Sequence, residues 1–156
     1  MTAILFLLPP LYLGYLIFMY VRTGVPYVVT PRKRLAFVMK HMDITPDTVI
    51  YDLGCGKGDV LFAAEKLHPK KLIGFELSPL HAWYGQIKAW MTKSRVRIYQ
   101  QNFFGANISD ADIVYLFLVQ SAMEKVWEKI KKEVKPGTRV VVLSNTIPGV
   151  QGQYIE

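Results

Sequence analysis

The sequence has only one cysteine, Cys55, among its 156 residues, so no disulfide can form within the chain. A reduced, intracellular protein is therefore expected. Histidine is also scarce, and His41, His68 and His81 are scattered without the spacing that metal ligands require. Packing or surface roles explain these histidines more simply, and we predict no metal site.

Acidic side chains are missing from residues 22–42, which contain five basic residues. These supply most of the net charge of +7, because residues 43–156 hold 14 basic and 12 acidic side chains. A positive excess confined to one short segment argues against a nucleic-acid footprint, and we expect no nucleic-acid partner. Basic residues beside an apolar segment instead favour contact with anionic lipid, at about 1 kcal/mol each.

Charge is absent from residues 3–21, which are almost wholly apolar. As a helix this run would span about 28 Å, close to the roughly 30 Å hydrocarbon core of a bilayer. We predict a single transmembrane anchor over residues 1–22 and one domain over 23–156, on the cytoplasmic or matrix side. An interfacial helix is the main alternative, because Pro9 and Pro10 interrupt the run. A cleaved signal peptide fits less well, because residues 1–3 have no basic side chain.

A glycine-rich turn follows the first predicted strand of this domain. Gly54, Gly56 and Gly58 lie between an apolar run at 49–53 and a helical pattern at 59–67. Glycines at such a turn permit tight backbone conformations and let a ligand approach the main chain. The third glycine comes one position too early for the dinucleotide pattern G-x-G-x-x-G. The turn therefore predicts a nucleotide-like ligand other than a dinucleotide.

Two acidic residues complete this motif. Asp52 precedes the first glycine, and Glu76 ends the next apolar strand, where a carboxylate can accept both hydroxyls of a ribose. The pattern D-x-G-x-G-x-G, followed by this acid, resembles motif I of the class I S-adenosylmethionine (SAM)-dependent methyltransferases. The resemblance implies SAM as the cofactor, bound by Asp52, Gly54, Cys55, Gly56, Gly58, Glu76 and Leu77.

Strands and helices alternate along the domain. Strands are predicted at 49–53, 71–76, 96–100, 113–118 and 139–143, with helices at 31–42, 59–67, 78–91 and 123–135. This predicts an α/β fold with a doubly wound, mostly parallel sheet of order 3-2-1-4-5, which binds its ligand between strands 1 and 4. Only 13 residues follow Leu143, so we expect a minimal or truncated version without the further strands of class I methyltransferases. The stripe of Leu80, Trp83, Ile87 and Trp90 is predicted to face the core.

Further candidates follow strands 3 and 4. Methyltransferases of this class often place an acid or amide against the adenine amino group at the position of Asn102, and Phe103 could pack on that ring. Val119 and Gln120 follow strand 4, where the methyl acceptor approaches. Polar residues that simply begin a loop or a helix are the plainer alternative for Asn102 and Gln120. Residues 118–121 lack the N/D-P-P-Y/F motif, which argues against base amines and glutamine amides as substrates.

Short segments of the chain are similar to a small membrane-anchored family. The segments are residues 26–31, 51–58 and 74–79, with Trp83-Tyr84 and Ala89-Trp90. This family contains the mitochondrial lysine methyltransferases of the ATP synthase c-subunit and of the adenine nucleotide translocase, with microbial relatives. The resemblance covers about residues 24–145 and implies methylation of lysine on a membrane protein, with Tyr27 and Thr30 closing over the cofactor. Val29 and Gln120 stand where several members have proline.

Lysine methylation needs no dedicated base, because desolvation beside a cationic sulfonium lowers the pKa of the amine. We therefore assign no catalytic residue. Two other functions remain open: methylation of a lipid, quinone or other small molecule near the bilayer, and SAM binding without turnover.

Overall fold

The computed structural model describes residues 2–152, so the two ends of the predicted domain map, Met1 and residues 153–156, lie outside it. The helices are α1 (Thr2–Thr23), α2 (Arg32–His41), α3 (Asp59–Ala64), α4 (Pro79–Met91) and α5 (Gln120–Glu133). The strands are β1 (Val49–Leu53), β2 (Lys71–Glu76), β3 (Arg97–Gln100), β4 (Ile113–Leu116) and β5 (Arg139–Val142). Two short 3-10 turns, Glu65–Leu67 and Phe103–Gly105, follow α3 and β3.

The five strands form one parallel sheet with the order β3-β2-β1-β4-β5. The predicted topology is confirmed. The chain moves outward from β1 to β3 and then returns to the other side of β1 as β4. The carboxyl ends of β1 and β4 therefore flank the crevice where open α/β sheets bind ligands.

Helices cover both faces of the sheet. On one face, Val38 of α2, Leu61 of α3 and Ala82 of α4 share a buried cluster. On the other face, α5 contributes Met123 and Ile130 to a second buried cluster. The strands between them are short and apolar, as expected for a sheet that is buried on both sides.

The predicted orientation of α4 is wrong. The stripe that was expected in the core, Leu80, Trp83, Ile87 and Trp90, is exposed. The buried residues of this helix are His81, Ala82, Gly85 and Ala89. A Cβ atom on Gly85 would lie 2.4 Å from Ile98 Cδ1 and 3.0 Å from the Lys57 carbonyl oxygen. The helix approaches the sheet so closely that only small side chains fit beneath it, and the large apolar side chains point outward.

Two tyrosines dock α1 against the domain. The Tyr12 hydroxyl lies 3.0 Å from His81 Nε2, and the Tyr15 hydroxyl lies 2.6 Å from Ser78 Oγ. Within the part of the chain that the structure describes, no helix is both long enough and apolar enough to cross a membrane. The transmembrane helix predicted over residues 1–22 is thus not supported. Its described part contains Pro9 and Pro10 and hydrogen-bonds to the domain.

Candidate active site

The glycine-rich turn between β1 and α3 has the backbone conformation that its composition predicts. Gly54, Gly56 and Gly58 all have positive φ, of 89°, 55° and 83°. A Cβ atom on Gly54 would lie 2.9 Å from Leu118 Cδ2, and one on Gly56 would lie 3.0 Å from the Tyr27 ring. Larger residues would therefore be both strained and crowded at these positions.

Glu76 is held beside this turn at the end of β2. Its Oε2 accepts a hydrogen bond of 2.8 Å from the Gly56 N–H, and its Oε1 accepts one of 2.7 Å from the Ser78 N–H. Burial raises the pKa of Glu76, and these backbone hydrogen bonds oppose the rise. Each carboxylate oxygen keeps a lone pair, so the fixed side chain can accept two hydroxyl groups of a ligand.

Asp52 and Tyr115 form a buried pair at the crevice between β1 and β4. They are opposite each other in the parallel register, so both side chains point to the same face of the sheet. Burial, followed by repulsion from Glu76 and Asp59, holds the pKa of Asp52 well above its usual range. Burial and the nearby Asp52 also raise the pKa of Tyr115.

The buried Tyr115 hydroxyl makes no hydrogen bond of normal geometry to the described side chains, although Thr30 lies near enough to oppose the rise of its pKa. A buried hydroxyl without a partner costs about 1–3 kcal/mol, which a polar group on a bound ligand would recover. The pair is therefore prepared to receive a polar or cationic group.

The segment between α1 and α2 closes over the turn. The ring of Tyr27 stacks on His81 with a centroid distance of 3.7 Å and an angle of 24°. Lys57 Nζ lies 5.7 Å from the centroid of the Tyr27 ring. Burial and the charge of Lys57 lower the pKa of His81 to about 4, so this imidazole is neutral at pH 7. Burial and the charge of Asp59 raise the pKa of Tyr27, so its hydroxyl is also neutral.

These elements enclose a cavity of about 420 Å³ at the carboxyl ends of the strands. Most of the predicted site residues line it: Tyr27, Thr30, Asp52, Gly54, Cys55, Gly56, Glu76, Leu77, Asn102, Phe103 and Val119. The structure thus brings together residues that are up to 92 positions apart in the chain. Their roles toward a ligand stay predictions.

Two predicted site residues lie outside the lining. Gly58 packs under the turn, where a Cβ atom would lie 2.7 Å from Ile98 Cδ1. The side chain of Gln120 hydrogen-bonds to the backbone of Thr146, with a distance of 3.0 Å from its Nε2 to the carbonyl oxygen. Asn102 does line the cavity, but its Oδ1 accepts a hydrogen bond from the Phe104 N–H, so part of its polarity caps the following turn.

Sequence reasoning missed several parts of the wall. Tyr115 lies in a strand that the sequence marks only as apolar. The predicted strand order puts β4 next to β1, and the register seen in the structure places Tyr115 beside Asp52. His81 had no motif to mark it. Leu16, Met19 and Thr23 of α1 also line the cavity, and nothing in a continuous apolar run indicates that one side of it reaches the site.

Comparison with known proteins identifies the protein family to which this chain is similar. The family model of the ANTKMT methyltransferase domain matches residues 52–153. A protein-lysine N-methyltransferase of Saccharolobus islandicus (strain REY15A) is 37% identical over 120 residues, which are 75% of this chain and 74% of that protein. The adenine nucleotide translocase lysine N-methyltransferase of Mus musculus is 26% identical over 77% of this chain and 53% of its own length. The chain spans about half the length of that mammalian relative.

Solved structures show the same fold. An RNA methyltransferase from Salinibacter ruber, in complex with S-adenosyl-L-homocysteine, matches with a TM-score of 0.76. It is 26% identical, and the match covers 83% of this chain and 86% of that one. The sequence-based resemblance to the family that contains the lysine methyltransferases of the ATP synthase c-subunit and of the adenine nucleotide translocase, with microbial relatives, is confirmed by the family model and by both relatives.

Proposed function

The chain belongs to the family of the ANTKMT methyltransferase domain and is a SAM-dependent methyltransferase, and we propose that it methylates lysine side chains of membrane proteins. When bound, SAM supplies a methyl group on a positively charged sulfur, and an amine can displace that sulfur in line. In the proposed reaction, the neutral ε-amino nitrogen of lysine forms the new N–C bond as the S–C bond breaks. The leaving product is S-adenosylhomocysteine, and the proton released from the amine goes to solvent.

The residues of the cavity fit SAM. Glu76 offers two fixed carboxylate oxygens to a ribose, and the glycines leave the main chain open to a close ligand. Asp52 and the buried hydroxyl of Tyr115 suit the ammonium group of the methionine moiety or the cationic sulfur. Phe103 lies near the end of β3, where the adenine of a nucleotide held by Glu76 would extend.

The observation that carries lysine as the acceptor is the identity of 37% to a protein-lysine N-methyltransferase that this chain covers for 74% of its length. The acceptor side of the cavity supports it, because most of its lining is apolar: Phe117, Leu118, Val119 and Ala122, beside the polar Ser121 and Lys125. A lysine with a pKa near 10.4 is neutral only about once in a thousand molecules at pH 7.4, a cost of roughly 4 kcal/mol. An apolar approach lowers that cost by desolvating the ammonium, while alignment at about 3–3.5 Å supplies the rest of the catalysis.

Attachment to a membrane is supported by surface composition. In α1, Leu8, Leu11, Leu13, Ile17, Phe18 and Val21 are more than half exposed. The exposed Arg32, Lys33 and Lys40 of α2 follow within a segment that has no acid. An apolar helix followed by basic residues suits an anionic bilayer, with the domain on its cytoplasmic or matrix side. Since α1 also lines the cavity, the site would open next to membrane-embedded acceptors.

Labelling with tritiated SAM tests the acceptor. Membranes from cells that lack the protein are incubated with the full chain or with its Glu76→Ala variant. We expect label in protein bands, assigned to methyl-lysine by mass spectrometry, and only with the native chain. Label in the lipid extract would show that the methyl acceptor is a lipid or quinone and not lysine. Label in RNA would show that the acceptor is a nucleotide. No label despite SAM binding would indicate a binding module without turnover.

Washing experiments test the attachment. The protein should sediment with membranes at low salt and be partly released by 1 M salt, which shortens the Debye length to about 3 Å. Changing Lys33 and Lys40 to Glu should increase the release, whereas the same changes at Lys131 and Lys132 of α5, on the opposite face of the sheet, should not. Recovery of the native chain in the aqueous phase at low salt would reject membrane attachment.

A further inference from the structure

The outward face of α4 carries an apolar surface that the fold leaves uncovered. It consists of Leu80, Trp83, Tyr84, Ile87, Trp90 and Met91, which are between 42% and 80% exposed. At 100° per residue these six side chains occupy an arc of about 120° on one side of the helix. Single exposed apolar residues are ordinary on a protein surface, but a contiguous patch with two tryptophans marks a site of interaction.

The packing of α4 explains why this surface cannot turn inward. Ala82, Gly85 and Ala89 face the sheet, and Gly85 lies against Ile98 with no room for a Cβ atom. A helix rotated to bury Trp83 and Trp90 would have to move away from the sheet by the width of an aromatic ring. The exposed aromatic face is therefore a fixed feature of the folded domain.

The charges around this surface favour an anionic membrane as its partner. Residues 77–109 contain no acidic side chain, and Lys88 of α4 with Lys93 and Arg95 of the following turn lie beside this surface. Arg97 of β3 points to the opposite face of the sheet, as Tyr99 does. Two acids reach this region from α3 and the turn after it. Asp59 Oδ1 lies 3.9 Å from Lys88 Nζ, and Glu65 accepts hydrogen bonds from Ser94 and Arg95. The remaining positive charge suits lipid phosphates, and tryptophan and tyrosine are the residues enriched at the membrane–water interface.

The surface also continues into α1. The Tyr15 hydroxyl accepts a hydrogen bond of 3.2 Å from the Leu80 N–H, so α1, which has exposed apolar residues of its own, contacts the first turn of α4. We infer that α4 is a second membrane contact, which inserts Trp83, Ile87 and Trp90 at the level of the lipid headgroups. Two separate contacts would orient the domain on the bilayer, which α1 alone cannot do. This inference deepens the proposed membrane attachment and rests on it.

Two fluorescent variants of the full chain test the contact. In Trp127→Phe, emission comes from Trp83 and Trp90 alone, since the chain has three tryptophans. In Trp83→Phe/Trp90→Phe, emission comes from Trp127 of α5, on the other face of the sheet. With phosphatidylcholine vesicles that contain phosphatidylserine, we expect a blue shift and quenching by brominated acyl chains in the first variant only.

A binding assay adds a second measure. Trp83→Ser/Trp90→Ser should weaken sedimentation with the same vesicles by about tenfold or more, because two large apolar side chains lose their lipid contact. Tyr99→Ser changes a half-exposed aromatic residue that stacks on Phe75 on the opposite face, and it should leave sedimentation unchanged. SAM affinity checks that both variants are folded.

Three results would overturn the inference. If the emission of Trp127→Phe is unchanged while the protein sediments with vesicles, α4 is not a lipid contact and α1 alone accounts for the membrane binding. Absence of sedimentation would reject both proposals. Conversion of a dimer to a monomer by Trp83→Ser/Trp90→Ser, with no effect on lipid binding, would show that a second copy of the chain covers α4.

Discussion

At the scale of single residues, Glu76 is the side chain that we propose binds the ribose of SAM. Both carboxylate oxygens are already fixed by backbone N–H groups, so binding requires no rearrangement of the side chain. We expect Glu76→Ala to weaken SAM binding by about 1–3 kcal/mol, measured by calorimetry, because a charge-assisted hydrogen-bonded pair is lost. Glu128→Ala, on the exposed side of α5, is the control. Equal affinities in the two variants would remove Glu76 from the site.

The buried carboxyl of Asp52 links stability to pH. Because its pKa is raised in the folded state, its contribution to stability is fully present below about pH 4 and is lost as the pH rises through the raised pKa. Each unit of the rise costs about 1.4 kcal/mol at pH values well above it. Without SAM, Asp52→Asn should therefore be more stable than the native chain at pH 8, and the difference should shrink toward pH 4.

Urea denaturation at a series of pH values measures this difference. Asp47→Asn, at an exposed position before β1, is the matched control and should follow the native curve. SAM binding should change in the opposite sense, because the amide cannot pair with a cationic ligand. If the stability difference between Asp52→Asn and the native chain does not vary with pH, burial does not raise the pKa of Asp52 in the folded state.

At the scale of helices and strands, the alternation of apolar strand and helix patterns was sufficient to predict the sheet. Each of the five predicted strands exists, and the right-handed crossover rule fixes the order β3-β2-β1-β4-β5. The glycine turn and Glu76 could be placed at one crevice for the same reason. The orientation of α4 could not be predicted in this way, because helical periodicity locates an apolar stripe but does not show which face of the helix is buried. The buried face is marked by the small residues Ala82, Gly85 and Ala89.

The residues around the cavity that escaped prediction share one property. Tyr115 meets Asp52 through strand pairing, and His81 meets Tyr27 and Tyr12 through docking of segments distant in the chain. Contacts of this kind depend on the assembled fold and leave no local pattern. The same holds for α1, whose two tyrosine hydroxyls find their partners more than 60 residues away.

The close approach of α4 to the sheet can be tested with two glycines. Gly85→Ala should destabilise the domain by about 1–3 kcal/mol, because the new methyl group would overlap Ile98. Gly14→Ala, also inside a helix, has nothing within 4 Å of the new Cβ atom and should be neutral or slightly stabilising. Urea midpoints compare the two. Similar stability of both variants would show that α4 can shift away from the sheet at little cost.

At the scale of the whole molecule, α1 and the domain act as one unit through the hydroxyls of Tyr12 and Tyr15. We expect Tyr12→Phe/Tyr15→Phe to loosen α1 and to speed cleavage by trypsin after Arg22 and Arg32, which flank the closing segment. Tyr20→Phe, at an exposed position of the same helix, is the control. SAM at 100 times its Kd should slow cleavage of the native chain, since it adds about 2.7 kcal/mol to the bound form. Equal cleavage rates in the two variants would show that these hydroxyls do not hold α1.

The segment between α1 and α2 joins the helices and also forms the wall of the cavity, with Tyr27 stacked on His81. Its length is therefore set by two demands at once. Inserted residues would let the domain move farther from the proposed membrane contact, but they would also lift Tyr27 from the imidazole of His81 and leave the cavity open to water. Homologues that keep this stacking should therefore tolerate few insertions or deletions in this segment. A change in the distance over which the active site can reach substrates would have to arise in another part of the chain.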